Sequence, residues 1–211
     1  MSYDIHEAFS LDSLQDSLLF WDDFEGDSLK DLWRTGGIDG NVAVVDAQDG
    51  GIIRLTTGAT TNDTAYIDWA DKRSLHVDKK VTVEWRVKLG QTADTQLRLF
   101  LRFDFNNTVY FQYDASASAN WFVVSTNTGT TSADSGIAVD TDYHILRIEC
   151  FPTDEVHYYI DGVECGNSPI TVAANIPNDA GDYLQPYMFL RTQADAIKTT
   201  DIDYIWVRQD R

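Results

Sequence analysis

The segment 143–164 constrains the fold of this chain more than any other stretch. Two runs of alternating apolar and polar residues flank a Pro-Thr-Asp turn at 152–154, and the second run ends in Asp161-Gly162. Alternation with a period of two is typical of strands with one buried face, and Asp-Gly is a preferred two-residue hairpin turn. The segment therefore predicts an antiparallel hairpin of the kind that builds β-sandwiches.

The same alternation recurs from Phe20 onward, and turns rich in Gly, Asn and Asp separate the runs. With 211 residues and 43% hydrophobic content, the chain is long enough to form one large core. We therefore predict an all-β fold, a two-sheet antiparallel jelly-roll sandwich of about eleven short strands. The predicted strands are 41–46, 52–56, 65–69, 81–89, 97–105, 109–114, 120–126, 142–151, 155–161, 186–191 and 201–208.

The charge of the chain excludes several classes of partner. There are 34 acidic and 16 basic residues, a formal net charge of -18, and such a surface repels nucleic-acid phosphates and anionic lipid head groups. We expect neither nucleic-acid binding nor membrane insertion, since no apolar run approaches the ~18 residues that span a bilayer. The first residues also lack the basic and apolar regions of a signal peptide. The spacing of Cys150 and Cys165 predicts free thiols.

The first nineteen residues differ from the rest of the chain. Leu11, Leu14 and Leu18 recur at helical spacing, and Ser10 is a candidate N-cap. We predict an N-terminal arm at 1–19, with a short helix, followed by the sandwich domain at 20–211. Two roles stay open for this arm: it closes one end of the sandwich, or it docks the domain onto a larger assembly.

Several motifs carry a resemblance to a known family. The stretch 18–29, LLFWDDFEGDSL, resembles the opening of concanavalin A-like jelly rolls, particularly laminarinase-type β-glucanases, and 200–208, TDIDYIWVR, resembles their last strand. The segment 83–89 is similar to a core strand of those folds, and the 143–164 hairpin also resembles laminin-G-like modules. The stretch 44–60 is similar to jelly-roll proteins carried by bacteriophage particles. The resemblance spans almost the whole chain and implies the same fold.

Catalysis by this family needs two carboxyl groups, about 5 to 5.5 Å apart in retaining enzymes. The resemblance implies a Glu-x-Asp-x-x-Glu strand, but the stretch that aligns with it, 108–114, has Tyr110 and Gln112 at the outward positions and Asp114 alone at its end. Glu84 and Asp104 are a conceivable second dyad, but each has an arginine two residues away, and neutralisation is the simpler role. No serine-hydrolase, zinc-protease or phosphate-loop motif occurs. We predict that the chain is not an enzyme.

The resemblance also implies a structural calcium ion where the first strand, a glycine turn and the last strand meet. Asp203 matches the last-strand carboxylate, Asp23 (or Asp22) matches the opening acidic position, and Gly51 (or Gly50) offers a carbonyl. Oxygen ligands of this kind suit Ca²⁺. The family commonly has Glu where Asp23 stands, and the alternative is that these are hydrogen-bonded acids at strand ends.

Alternation in 81–89 and 97–105 predicts one basic and aromatic sheet face. A hairpin through 90–96 would set Lys88 opposite Arg98 and Arg86 opposite Phe100, and the next hairpin would set Arg102 opposite Gln112, with Phe103 and Phe105 buried. Like charges opposite one another favour a bound anion, and aromatic rings stack on sugars. The predicted glycan-binding residues are Arg86, Lys88, Arg98, Phe100, Arg102, Tyr110 and Gln112. The alternative is an ordinary solvated or protein-contact face.

These observations predict a non-catalytic, lectin-like surface module with glycan adhesion. The predicted setting is a phage virion, as a capsid decoration or tail accessory protein that is made in the host cytoplasm and docks through residues 1–19. One alternative is a free-standing carbohydrate-binding module or vestigial laminarinase-like glycoside hydrolase. Another is an active glycoside hydrolase or lyase with an unrecognised dyad.

Overall fold

The computed structural model describes residues 17–45, 51–76, 78–177 and 183–210. The described residues form sixteen β-strands and one turn of 3-10 helix at Ala173–Asn175. In chain order the strands are β1 (Ser17–Asp22), β2 (Arg34–Ile38), β3 (Asn41–Val45), β4 (Ile52–Thr56), β5 (Thr64–Asp68), β6 (Leu75–His76), β7 (Val81–Leu89), β8 (Thr95–Arg102), β9 (Thr108–Asp114), β10 (Asn120–Thr126), β11 (Thr130–Ala138), β12 (Tyr143–Phe151), β13 (Glu155–Ile160), β14 (Val163–Glu164), β15 (Tyr183–Thr192) and β16 (Thr199–Asp210). None of the described helical segments is long and apolar enough to cross a membrane.

The strands pair into two antiparallel sheets of eight strands each. The first sheet has the order β14-β13-β12-β7-β16-β4-β3, with β1 also paired to β16. The second has the order β11-β10-β9-β8-β15-β5-β2, with β6 also paired to β15. Apolar side chains from both sheets form one continuous core between them. The predicted all-β, two-sheet antiparallel sandwich is confirmed.

The central strand β7 shows how alternation builds this core. Its alternate residues are buried, and the residues between them lie on the outer face of the first sheet, as the sequence predicted. Each buried aliphatic or aromatic side chain contributes roughly 1.5–3 kcal/mol through removal of apolar surface from water. The buried apolar set in β7 is Val81, Val83, Trp85, Val87 and Leu89.

The 143–164 hairpin is confirmed. Strands β12 and β13 pair with Leu146 opposite Ile160, and the next turn has positive φ at both Asp161 (52°) and Gly162 (78°). Asp and Gly suit such a turn because they adopt left-handed backbone more readily than other residues. Cys150 and Cys165 are free and buried, as predicted, and burial raises the pKa of each thiol to about 12.

Some strands lacked a recognisable signal in the sequence. Strand β2 contains Gly36, where a Cβ atom would lie 2.5 Å from the hydroxyl oxygen of Tyr66 on the neighbouring strand β5. Glycine is therefore needed to seat that ring, although it weakens the strand signal. Strand β11 is polar and lies at the edge of the second sheet, so it has no apolar alternation to detect.

The predicted hairpin between 81–89 and 97–105 is wrong. Strand β7 pairs with β12 and β16 in the first sheet, whereas β8 pairs with β9 and β15 in the second. The segment between β7 and β8 therefore passes from one sheet to the other. Strand length and turn composition do not distinguish this crossover from a hairpin, because both use the same turn residues.

The predicted register of the next hairpin is also wrong. Phe100 stands opposite Tyr110 and Arg98 opposite Gln112, because β8 ends at Arg102 and the turn is longer than expected. Asp104 closes this turn by accepting hydrogen bonds from the backbone N–H groups of Asn106 and Asn107, at 2.8 and 2.9 Å. Phe103 is half-buried, and Phe105 is 64% exposed rather than buried.

The N-terminal arm lies mostly outside the described residues, which begin at Ser17. The last three residues of the predicted arm, 17–19, lie in β1, where Leu18 pairs with Gln209 of β16. Leu18 is therefore in a strand rather than in the predicted helix. The helix over the preceding residues, which include Leu11 and Leu14, stays a prediction.

Candidate functional site

The outer face of the second sheet carries a dense set of aromatic and basic side chains. The pairing register aligns Phe122, Gln112, Arg98, Phe189 and Tyr66 in one row across five strands. The adjacent row contains Tyr110, Phe100, Tyr187 and Asp68. Residues two apart on a strand share a face, so both rows lie on the outer side. We call this surface the second-sheet face.

The aromatic rings of this face contact one another. The Phe100 ring centroid lies 4.5 Å from that of Tyr110 and 5.5 Å from that of Tyr187, and Tyr187 stacks on Tyr66 at 5.3 Å. These neighbours cover Phe100, which is only 2% exposed although it points away from the core. Burial raises the pKa of Tyr187 to about 12, so its phenol stays protonated at neutral pH.

Three arginines on the second-sheet face have unused hydrogen-bonding capacity. The buried Nε atoms of Arg98, Arg102 and Arg191 have no hydrogen-bond partner among the described residues. Arg98 and Arg191 also form no ion pair within the described chain. Buried unpaired polar groups are unfavourable. The Nε atoms themselves are out of a ligand's reach, but the side chains of Arg98 and Arg191 are partly exposed, so their other guanidinium N–H groups are the donors that anionic oxygens would bind, in a protein that is otherwise strongly acidic.

One end of this face is held by an ion pair whose carboxylate is buried. The carboxylate of Asp68 is fully buried and accepts hydrogen bonds from Nε and Nη2 of Arg34, at 3.0 and 2.6 Å, and from the backbone N–H of Ala70 at 2.8 Å. Arg102 lies 3.8 Å from the same carboxylate and packs 3.6 Å over the Tyr187 ring. This network holds Arg102 and Tyr187 in place beside the open part of the face.

The structure brings together five of the seven predicted glycan-binding residues. Arg98, Phe100, Arg102, Tyr110 and Gln112 share the second-sheet face. Arg86 and Lys88 do not belong to it, because the crossover after β7 places them on the outer face of the first sheet. There Arg86 pairs with Asp203, and its guanidinium lies 4.2 Å over the Tyr143 ring.

Sequence reasoning missed six further members of this face: Tyr66, Asp68, Phe122, Tyr187, Phe189 and Arg191. Alternation within 65–69 and 186–191 could have placed Tyr66, Phe189 and Arg191 on the non-core side of their strands. Their position beside Arg98 depends on strand order, since β15 and β5 are far from β8 in sequence. Phe122 joins them through the β9–β10 pairing.

The carboxylates near the face are occupied by other groups. Burial raises the pKa of Asp114, but hydrogen bonds from Ser116, Gln193 and Gln96 outweigh it, so the pKa lies below its usual value. A lowered pKa disfavours a role as a general acid near neutral pH. Asp134 accepts from Asn120 and from the backbone of Gly136. The described part of this face thus offers proton-bearing tyrosines and cationic arginines rather than a pair of free carboxyl groups.

The segments of the predicted calcium site approach one another. Asp22 stands opposite Ile205 in the β1–β16 pairing, and the backbone of Gly51 packs directly on the Phe24 carbonyl, where a Cβ atom would lie 1.9 Å away. The carboxylates do not gather there: Asp203 pairs with Arg86, and Asp23 faces the backbone N–H of Glu25 at 3.5 Å. The described residues contain no metal-type cluster of three His, Cys, Asp or Glu side chains. These side chains do not fit a calcium ion as they stand.

The calcium site stays a prediction that thermal melting tests. If calcium binds only the folded state, excess chelator should lower the melting temperature by about 5–10 °C at calcium concentrations near 100 times the dissociation constant. Asp203→Asn should remove this difference, whereas Asp201→Asn, which disrupts the ion pair to Arg54, should retain it. Identical melting curves with calcium and with chelator would contradict the prediction that the protein binds calcium.

Comparison with known proteins places this geometry in a structural context. No protein-family model and no curated protein sequence matches the chain. Similar solved structures include a pseudo beta-1,3-glucanase and immunostimulatory antigen of Mycobacterium tuberculosis, with 13% identity, a TM-score of 0.66, and coverage of 91% of this chain and 98% of that one. A glycoside hydrolase family 16 protein of Bacteroides ovatus for mixed linkage glucan has 13% identity, a TM-score of 0.67 and coverage of 89% and 99%. A carbohydrate esterase of the Shiga toxin-encoding bacteriophage phi24B has 19% identity, a TM-score of 0.58 and coverage of 85% and 90%.

These matches correct the prediction that the chain is not an enzyme. Several of the similar structures are glycoside hydrolases or glycanases, so the fold is one that supports catalysis, and that prediction was wrong. It rested on motifs read along the chain: the lone carboxylate of 108–114, the arginines beside Glu84 and Asp104, and the absence of other catalytic motifs. An outer sheet face, in contrast, assembles groups from several strands. None of the three proteins above is described as a capsid or tail component, so the capsid or tail partners, the docking of residues 1–19 and the virion location stay predictions.

The structure agrees with the resemblance carried by 18–29 and 200–208. It has two antiparallel sheets of eight strands in a sandwich order, and similar structures match about nine-tenths of the chain. At these identities the likeness establishes the fold. The chain therefore has the concanavalin A-like jelly-roll fold of the laminarinase-like glycoside hydrolases.

Proposed function

We propose that the protein acts on acidic glycans, which bind along the second-sheet face. The observation that carries this proposal is the pair Arg98 and Arg191, whose buried Nε atoms lack hydrogen-bond partners and which form no ion pair among the described residues. Guanidinium groups bind carboxylate and sulfate groups through paired N–H donors. Their net positive charge on a protein of charge -18 favours an anionic ligand over a neutral one.

The aromatic rows supply the second half of the recognition. Arg98 is flanked across the sheet by Gln112 and Phe189, and Phe122 and Tyr66 extend the same row. Half-buried rings of this kind stack on the C–H faces of sugars. A glycan lying along the row would place its rings on the aromatics and its acidic groups on Arg98 and Arg191. The similar structures that act on glycans support this ligand class.

A second candidate function is cleavage of the bound glycan, which the presence of several glycoside hydrolases among the similar structures favours. With no free carboxylate pair on the described face, β-elimination of a uronic acid suits its residues better than hydrolysis. In that reaction the Tyr110 phenolate takes the C5 proton, the C4–O bond breaks, and the phenol returns the proton to the leaving oxygen. Burial raises the pKa of Tyr110 above its usual value, and Arg98 offsets this only in part, so the phenol is protonated at neutral pH and the rate should increase with pH into the alkaline range until Tyr110 is ionised.

Matched acidic and neutral glycans test both functions. We expect calorimetry to detect binding of oligogalacturonate and dextran sulfate but not of cellohexaose or unsulfated dextran, with affinity that falls as salt is added. Cleavage of the uronate chain would appear as new reducing ends together with the ultraviolet absorbance of an unsaturated product. Equal binding of neutral and acidic chains, or binding of neither, would contradict the proposal.

The setting of this activity is a further part of the proposal. We place the protein on a phage particle, as a capsid decoration or tail accessory protein, with residues 1–19 as the docking arm. A carbohydrate esterase from a bacteriophage shares the fold, which supports a viral role for jelly rolls of this kind. Glycan adhesion by the second-sheet face would then bring the particle to an acidic polysaccharide.

A further inference from the structure

His144 lies where three parts of the chain meet. It is the second residue of β12, and it follows the segment 139–142, which carries the chain from β11 in the second sheet to β12 in the first. Asp161, in the turn between β13 and β14, lies on its other side. The His144 side chain is 16% exposed. The ring is therefore held between segments rather than projecting into water.

Both ring nitrogens of His144 contact a carboxylate oxygen. Nδ1 lies 2.6 Å from Oδ2 of Asp161, and Nε2 lies 2.9 Å from Oδ1 of Asp140. An ionised carboxylate only accepts hydrogen bonds, and neutral imidazole carries a single N–H group. Only the doubly protonated ring can donate to both acids at once, so this geometry selects the imidazolium form.

The backbone holds both carboxylates in place. Oδ1 of Asp140 accepts a hydrogen bond of 2.7 Å from the N–H of Asp142, and Oδ1 of Asp161 accepts one of 2.8 Å from the N–H of Ile145. The N–H of Asp161 also donates to the Ile145 carbonyl at 2.8 Å. If the ring loses a proton, one of its nitrogens presents a lone pair to a carboxylate that is already fixed. That contact changes from attraction to repulsion.

The two acids are also the charged groups that act on the ring. Burial of the ring lowers the pKa of His144, but Asp161 and Asp140 outweigh it, so the pKa lies above its usual value. The neighbouring strands contribute apolar residues at this position. Val87 of β7 stands opposite His144, and Ile160 ends β13 beside it. The charge of the ring is thus balanced by these two carboxylates.

We propose that His144 is a pH-sensitive latch, which in its doubly protonated form ties the 139–142 segment to the β13–β14 turn and releases this tie as the pH rises. The proposal is independent of the proposed function, because no glycan takes part in it. A group whose pKa is raised on folding stabilises the fold fully below its unfolded pKa, about 6.5 for histidine, and loses that contribution as the pH rises through the folded value. The latch is therefore closed in mildly acidic solution and loosens toward alkaline pH.

Titration of the intact protein, followed by nuclear magnetic resonance, tests the latch directly. We expect both ring nitrogens of His144 to carry protons at about pH 5.5 and the ring to titrate above about pH 6.5. Asp140→Asn and Asp161→Asn should each move this titration to lower pH, because each removes one charged acceptor. The matched control is Asp142→Asn, which removes the charge of an exposed acid close to the ring and should leave the titration nearly unchanged.

Denaturant unfolding measures how the proton is coupled to the fold. The unmodified protein should be more stable than the His144→Gln variant, by a margin that is larger at about pH 6 than at about pH 9. Glutamine is polar but cannot take up a proton, so the pH dependence of the margin belongs to the imidazole. Comparison of two proteins at each pH cancels the contribution of the other titrating groups.

Three results would overturn the latch. The first is a His144 ring that titrates at or below about pH 6.5. The second is an effect of Asp142→Asn as large as that of Asp140→Asn, which would assign the shift to the overall negative charge. The third is a stability margin that does not change with pH. If His144→Gln does not fold, the titrations of the unmodified protein and of the three asparagine variants decide the matter.

Discussion

Replacement of Arg98 by alanine should weaken the binding of oligogalacturonate at the second-sheet face by about 10- to 100-fold, because charge-assisted hydrogen bonds contribute roughly 1.5–3 kcal/mol each. Arg98 lies at the centre of this face, between Gln112 and Phe189, and forms no ion pair among the described residues that would hold it for a purely structural purpose. Arg98→Lys should give an intermediate loss, since lysine keeps the charge but lacks the planar pair of donors. Calorimetry at low and moderate salt measures the change.

A matched variant separates a local effect from general loss of charge. Arg54→Ala removes one positive charge from the first sheet, where Arg54 pairs with Asp201, and should leave binding at the second-sheet face within about twofold of the original. Melting curves should show that both variants fold. Unchanged affinity in the Arg98→Ala protein would leave this face without a role in recognition.

Replacement of Asp68 by alanine should destabilise the protein by about 2–4 kcal/mol, less than the cost of breaking a fully buried ion pair, because the Arg34 side chain is 40% exposed and can be hydrated. Asp68 is fully buried and accepts three hydrogen bonds, two of them from Arg34. Without it, Arg102, whose side chain is only 11% exposed, loses its nearby counter-charge. A stability loss of this size corresponds to a fall in melting temperature of about 4–16 °C for a domain of this length.

The control for this prediction is Asp201→Ala. Asp201 forms a similar two-bond pair with Arg54, and the two arginines are about equally exposed, at 40% for Arg34 and 44% for Arg54, but the Asp201 side chain is 15% exposed whereas that of Asp68 is fully buried. Water screens that pair, so its loss should cost about 1 kcal/mol or less. Denaturant unfolding of the two variants measures the difference. Equal losses of stability would show that burial of Asp68 does not set the strength of its network.

Structural features that arise between neighbouring residues were predicted from the sequence, whereas features that depend on residues far apart in the chain were missed. The 143–164 hairpin was predicted from its alternation and its Asp161-Gly162 turn, because both signals act between neighbouring residues. Strand β2 was missed because Gly36, which makes room for Tyr66 across the pairing, removes the side chains that would reveal a strand. The crossover after β7 was missed because its turn residues are also those of a hairpin.

The sequence by itself determined the all-β class, the core residues of β7 and the membership of Arg98, Phe100, Arg102, Tyr110 and Gln112 in one face, since a period of two assigns each side chain to one side of its strand. Only the tertiary structure decided which strands lie side by side. It separated Arg86 and Lys88 from that face, brought Phe189 and Arg191 from β15 beside Arg98, and set Trp21 opposite Trp206. Strand order follows from packing two whole sheets around a shared core, and that packing joins residues far apart in the chain, about which local alternation carries no information.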